Sequence, residues 1–179
     1  MRTFASFVTG TAVALTVVVS SAHAQKQGGT LRISHRDNPP SASIHEESTI
    51  SVNQPFMAAF NNLVFFDPKK KVNSPDDIVP ELAESWAWTD NNTKLTFKLR
   101  QGVKWHDGKP FTAADVKCTF DAVRGAGDEK NEIMRKSPRK LWYANVKEIV
   151  TKGDHEVTFV LERPQPSFLS MLAAGYSPV

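Results

Sequence analysis

The sequence predicts a mixed α/β chain behind an N-terminal leader. Three observations carry this. Leu95, Phe97 and Leu99 alternate with Thr96, Lys98 and Arg100, the period of a half-buried strand. Val116, Phe120 and Val123 recur at helical spacing behind Thr112 and Asp115. The first 25 residues, "MRTFASFVTGTAVALTVVVSSAHAQ", have one early positive charge, an apolar stretch and a small-x-small tripeptide, Ala22-His23-Ala24. That is the pattern of a cleavable signal peptide. Cleavage after Ala24 leaves Gln25 as the mature N-terminus. No cysteine stands at this site to carry a lipid anchor, and nothing later in the sequence reads as a membrane span.

The elements follow in order. "GGTLRIS", residues 28–34, becomes strand-like as Leu31 and Ile33 alternate with polar neighbours. Pro39 and Pro40 break it, because they lack the N–H a ladder needs. Residues 48–62 turn helical, with Ile50, Phe56, Met57 and Phe60 on one broad face and Pro55 as a kink or a late start. "LVFFD", residues 63–67, is a short strand. Trp86 and Trp88 alternate on the next strand, and Asp90-Asn91-Asn92 supplies the turn into residues 95–99. Gly102 interrupts that strand, and Val103 and Trp105 resume it. Thr112 caps a helix, with Asp115 completing a capping box, and Gly125 lies at its end. Residues 128–139 are polar and without period, and read as a surface loop or a short irregular helix. Residues 146–150 and 156–161 form a hairpin with Val157, Phe159 and Leu161 inward, and Ser167 caps a final short helix.

Composition bounds the function. The 179 residues are 40% hydrophobic and 23% charged, with a net charge of +3. The basic residues are dispersed, which argues against a nucleic-acid partner. Cys118 is the single cysteine, placed in a helix as a small side chain without chemistry. No phosphate loop, dinucleotide fingerprint, zinc motif or nucleophile elbow occurs. No two histidines of the mature chain stand at metal-ligating helical spacing, so no cofactor or metal is expected. His106-Asp107 invites a base-and-carboxylate reading. Adjacent side chains on an extended chain point to opposite faces, whereas Asp107-Gly108 is a favoured turn pair. The pair therefore reads as architecture.

Residues 80–123, "PELAESWAWTDNNTKLTFKLRQGVKWHDGKPFTAADVKCTFDAV", resemble the signature region of the bacterial extracellular solute-binding proteins of the dipeptide, oligopeptide and nickel type, family 5. The resemblance runs through Leu82-Ala83-Glu84-Ser85-Trp86, then residues 96–100, 102–108 and 111–116. "NNLVFFD" and "VTFVLERPQPSFLSMLA" resemble its flanks. The resemblance implies part of lobe one, plus an inserted small domain, of a type II two-lobed periplasmic binding protein. It divides the chain into a signal peptide at 1–24, the start of lobe one at 25–50, the small domain at 51–155, and a return into lobe one at 156–179. It implies no enzymatic activity. The implied protein is a monomeric periplasmic receptor that hands a peptide or similar polar solute to an inner-membrane ABC permease. Receptors for nickel complexes, sugars or opines share the signature. Family members are much longer, which implies an N-terminal part, or alternatively a non-functional or purely structural fragment. The candidate ligand-binding residues are His35, Arg36, Asp37 and Asn38, at the carboxyl end of the first strand, where α/β folds bind ligands. Tyr143 is a further candidate.

Overall fold

The computed structural model describes residues 29–30, 32–35, 37–126 and 136–179. The expected signal peptide, and most of the loop expected over 128–139, lie outside these. The chain divides into two compact units, Met1–Ser34 and His35–Val179.

In the first unit the described residues carry no regular structure. The strand expected over 30–34 does not form at Arg32, Ile33 and Ser34. Alternation specifies which side chains share a face, but a strand also needs a partner edge. Among the described residues no ladder includes this segment.

The second unit is built on a four-stranded antiparallel sheet. Its strands are β3 (Ala83–Thr89), β4 (Lys94–Leu99), β5 (Val146–Thr151) and β6 (Glu156–Leu161), in the order β3-β4-β6-β5. Register puts Leu95 opposite Phe159 and Phe97 opposite Val157, all four fully buried. The other face is polar, and the Thr96 and Thr158 hydroxyls meet there at 2.8 Å. Trp86 faces Phe97 and Trp88 faces Leu95, so both indoles lean on the core side, half-buried. The β3–β4 turn uses three consecutive left-handed residues, Asp90, Asn91 and Asn92, at φ of 48°, 53° and 61°. Asp and Asn tolerate that backbone better than other side chains. The segment 156–179, expected to lead back into lobe one, opens with β6, which lies between β4 and β5.

Helix α2 (Ala113–Arg124) covers the apolar face. Its entry matches the sequence reading. The Asp115 carboxylate accepts from the Thr112 backbone N–H at 2.7 Å and from its hydroxyl at 3.0 Å. The Ala113 N–H is taken by the Asp154 carbonyl in the β5–β6 turn, at 2.8 Å. Gly125 ends the helix at φ 81°, and the Ala126 N–H reaches back to the Asp121 carbonyl at 2.8 Å. Val116, Phe120 and Val123 are its buried stripe. Phe120 and Phe97 meet Phe159 edge-on, with ring centroids 5.2 and 5.9 Å apart, and Phe168 does so at 5.6 Å.

A smaller ladder pairs β1 (Val64–Phe66) with β2 (Ile78–Pro80). Helix α3 (Phe168–Ala173) packs on β1. Ser167 holds the N-cap position, but its hydroxyl makes no capping bond. At the other end the Asn62 amide donates to the Leu172 and Ala174 carbonyls at 3.1 and 2.7 Å, satisfying terminal acceptors that the helix leaves open.

Helix α1 (Ile50–Phe56) continues as a 3-10 turn, Met57–Ala59, with Pro55 inside the helical part. Its buried residues are Val52 and Asn53. The face expected from sequence is split, with Ile50 and Met57 each 39% exposed and Phe56 and Phe60 half-buried. The change from α to 3-10 winding after Phe56 breaks the single angular period on which that expectation rested.

Candidate functional site

Residues 35 and 37–49 form an irregular strap that ends on α1. His35 is half-buried, and its Nε2 has no hydrogen-bond partner among the described residues. Asp37 and Asn38 are exposed. Asp37 accepts a 2.8 Å hydrogen bond from the Ser51 hydroxyl, which ties the strap to the first turn of α1. Arg36 lies outside the described residues. Three of the four candidates thus share one accessible stretch, and two of them present polar groups to solvent.

The strap is pinned from below by Arg139, a residue the sequence reading placed in a polar surface segment. Arg139 is only 1% exposed and Ser137 5%. The guanidinium Nη2 donates to the Ile44 carbonyl and lies 3.5 Å from His45 Nδ1. Arginine only donates, so Nδ1 faces it as the acceptor of a neutral imidazole. Burial, and then the Arg139 charge, hold the His45 pKa down to about 4. Burial also lowers the Arg139 pKa, with Tyr143 and Tyr176 acting in the opposite direction. In the segment "SPRKLWY" the one signal near Arg139 is the triplet Leu141-Trp142-Tyr143, separated from it by Lys140.

Tyr143 is not at an open surface. It is 1% exposed, on the inward side of the 3-10 turn Lys140–Tyr143, against Phe120 at 5.5 Å. Its hydroxyl lies 2.7 Å from Ser177 Oγ, and Ser177 donates onward to the Met171 carbonyl. Burial raises its pKa. This tyrosine is a core residue whose polar tip is consumed internally. The residues of the same turn that face solvent are Leu141, 85% exposed, and Trp142, 42% exposed.

His106-Asp107 is a turn. The Gly108 N–H reaches the Trp105 carbonyl at 2.9 Å, and Gly108 has φ 85°. Asp107 spends its carboxylate on Lys109, accepting from its backbone N–H at 3.0 Å and pairing with Nζ at 2.7 Å. Those contacts lower the Asp107 pKa and leave the carboxylate turned to lysine. Val103 and Trp105 do not resume a strand: a single bridge joins Lys104 to Pro110. Among the described residues no three His, Cys, Asp or Glu side chains gather as a metal site. No described helix is long and apolar enough to cross a membrane.

A pocket of about 210 Å³ opens beside the strap, between Ile44 and Asn53 on one side and Gly175 and Pro178 on the other. A smaller one, about 100 Å³, lies by Trp105 and His106.

This mixed α/β arrangement is shared with part of the two-lobed periplasmic binding proteins. Residues 77–179 match the family described as bacterial extracellular solute-binding proteins, family 5 Middle. The chain belongs to that family. A dipeptide-binding protein of Escherichia coli is 32% identical over 130 residues, covering 67% of this chain and 23% of the relative. Among solved structures, the protein MoaA from A. tumefaciens R10, in complex with mannopinic acid, superposes with a TM-score of 0.67. It is 27% identical and covers 79% of this chain and 27% of its own. A dipeptide binding protein from Pseudoalteromonas sp. SM9913, in complex with Met-Leu, gives 0.64 at 25% identity, over 80% of this chain and 29% of its own. The chain thus spans about a quarter of the length of the proteins it matches. The family and these relatives are binding proteins rather than enzymes.

Proposed function

We propose that the chain is the N-terminal part of a periplasmic receptor that binds a peptide or similar polar solute and delivers it to an ABC permease in the inner membrane. The family match over residues 77–179, joined to dipeptide-binding relatives, carries this reading. In it, residues 1–24 are removed as a signal peptide, and the protein acts as a monomer. His35, Arg36, Asp37 and Asn38 contribute polar contacts to the solute. The strap suits that role, because Asp37 and Asn38 are exposed and Arg139 fixes its base. Tyr143 contributes no contact to the solute in this reading, because its hydroxyl is bonded to Ser177 inside the core.

An opine is the second solute class. The likeness to MoaA, solved with mannopinic acid, favours it.

The test is made on the protein recovered from the periplasm of its source. Its intact mass establishes the mature N-terminus, which is expected at Gln25. Calorimetric titration with a dipeptide panel and with mannopinic acid is expected to give one saturable class of site, weakened by Asp37→Ala and His35→Ala at unchanged melting temperature. Absence of saturable binding by every solute in the panel would remove the receptor reading.

A further inference from the structure

The strap is held to the rest of the chain at few points. Asp37 is tied to Ser51 on α1, and Thr49 leads into the same helix, so both ends of residues 38–48 are fixed at α1. Among the described residues no main-chain hydrogen bond joins 38–48 to another segment. Two side-chain contacts do. Glu46 pairs with Lys136 at 3.8 Å, a partly exposed contact of the kind that contributes little. Arg139 Nη2 donates to the Ile44 carbonyl, and both residues are buried. Ile44 lies outside the main core cluster that packs on the sheet. Its release therefore leaves that core closed.

This clamp is placed so that one proton undoes it. The nitrogen that holds the Ile44 carbonyl also lies 3.5 Å from Nδ1 of the half-buried His45. Nδ1 accepts there, so the neutral ring carries its hydrogen on Nε2 and an added proton must go to Nδ1. The protonated ring then turns a donor towards a donor. It also sets a second positive charge against a guanidinium that is 1% exposed. Among the described residues no carboxylate pairs with Arg139 to balance the two, and the ionisable groups that bear on it are Tyr143 and Tyr176. The other charges near His45 are Glu46 and Lys136, already paired, with Glu47 and Lys140 next along the chain. Two like charges side by side in a buried site disfavour each other strongly. Either the imidazole moves out or Nη2 withdraws. Ile44 and His45 are neighbours in one turn, so both routes break the clamp.

We propose that residues 38–48 are an acid-released arm: a proton on His45 Nδ1 breaks the Arg139–Ile44 clamp, and the arm swings away while the four-stranded sheet stays folded. Residues 35–38 stand at its root, so on the receptor reading the opening is also a step of solute release. The opening itself does not rest on that reading.

The closed arm holds the His45 pKa to about 4, against 6.5 for a free histidine. The open arm therefore binds the proton more tightly. Opening is least above about pH 6.5 and grows as the pH falls towards 4. Between pH 7 and pH 5 the ratio of open to closed arm rises about twentyfold.

The experiment is limited proteolysis of the 179-residue chain by a glutamate-specific protease at pH 7 and pH 5, with the cut sites located by mass spectrometry. The rate of cutting after Glu46 and Glu47 is divided by the rate for a free peptide of residues 37–49, which removes the protease's own pH dependence. Where closing outruns cleavage, this ratio follows the open population. It is expected to rise about twentyfold from pH 7 to pH 5 in the native sequence and to stay level in His45→Gln. Glu148 and Glu156, in strands β5 and β6, are expected to remain uncut over the same interval. A ratio that does not change with pH overturns the proposal, as does an equal rise in His45→Gln. Cutting at Glu148 and Glu156 in step with Glu46 overturns it too, because the whole fold is then opening rather than the arm. The pH dependence and cut sites of the native chain decide the question even if His45→Gln fails to fold.

Discussion

His45 makes the acid stability of this chain a direct test of the strap. Its pKa is held down to about 4 in the folded chain, first by burial and second by the Arg139 charge. Unfolding returns it to the ordinary histidine value near 6.5. The unfolded state therefore binds the proton more tightly. Stability from keeping His45 neutral is fully present above about pH 6.5 and is lost progressively as the pH falls towards 4, below which the loss stops growing. A displacement of that size corresponds to about 3 kcal/mol in all, of which about 2 kcal/mol falls between pH 7 and pH 5. Nearby charges on the same segments are Glu46 and Lys136, paired at 3.8 Å, with Glu47 and Lys140 next along the chain. The assay is urea unfolding at both pH values for the native sequence and for His45→Gln, which cannot titrate. The native sequence is expected to lose about 2 kcal/mol more than the variant over that interval. Equal losses would mean that His45 is not buried against Arg139, and the pinned strap would have to be given up.

Other perturbations probe the scaffold. Phe159→Ala removes the ring that three other phenylalanines contact edge-on, and costs about 3–5 kcal/mol by the same urea assay. Thr112→Ala takes the hydroxyl from the capping box and costs about 1 kcal/mol, seen as a lower urea midpoint at unchanged slope. His106→Ala changes stability by no more than about 0.5 kcal/mol, because the ring is exposed. Gly108→Val in the same turn costs about 1–2 kcal/mol, since a branched residue is forced to φ 85°. If the histidine mattered and the glycine did not, the reading of this turn as architecture would be reversed.

The parts of the fold that were legible in the sequence are those whose causes are local. The entry to α2 depends on Thr112 and Asp115, three residues apart, and its exit on Gly125. The turn at residues 90–92 needs only side chains that accept a left-handed backbone. Strands β4 and β6 display their alternation because each has one wet face and one covered face. The turn at His106 belongs with them, since the Asp107 carboxylate reaches only two residues along the chain.

What escaped the sequence reading depends on distant partners. Asn53 is polar and lies on a short helix, yet it is 1% exposed beside a pocket whose walls come from several distant segments. Tyr143 is a further candidate from the sequence, yet Ser177, far along the chain, takes up its hydroxyl. Segment 30–34 has the alternation of a strand and lacks a described edge to join.

Arg139 is the most instructive of these residues. Composition places an arginine in a polar stretch at the surface, because burying a guanidinium costs several kcal/mol unless it is paired. Among the described residues its guanidinium meets a main-chain carbonyl and a neutral imidazole, and Nε has no partner. Such an arrangement is poor value as stability alone. It is useful as a fixed post: one cation holds Ile44 and His45 in place, and Ile44 is at once the anchor of the strap and part of the pocket wall. The strap that carries His35, Asp37 and Asn38 and the cavity that carries Asn53 therefore share a support. Loosening Arg139 should disturb both together, whereas Asn53→Ala should disturb only the cavity.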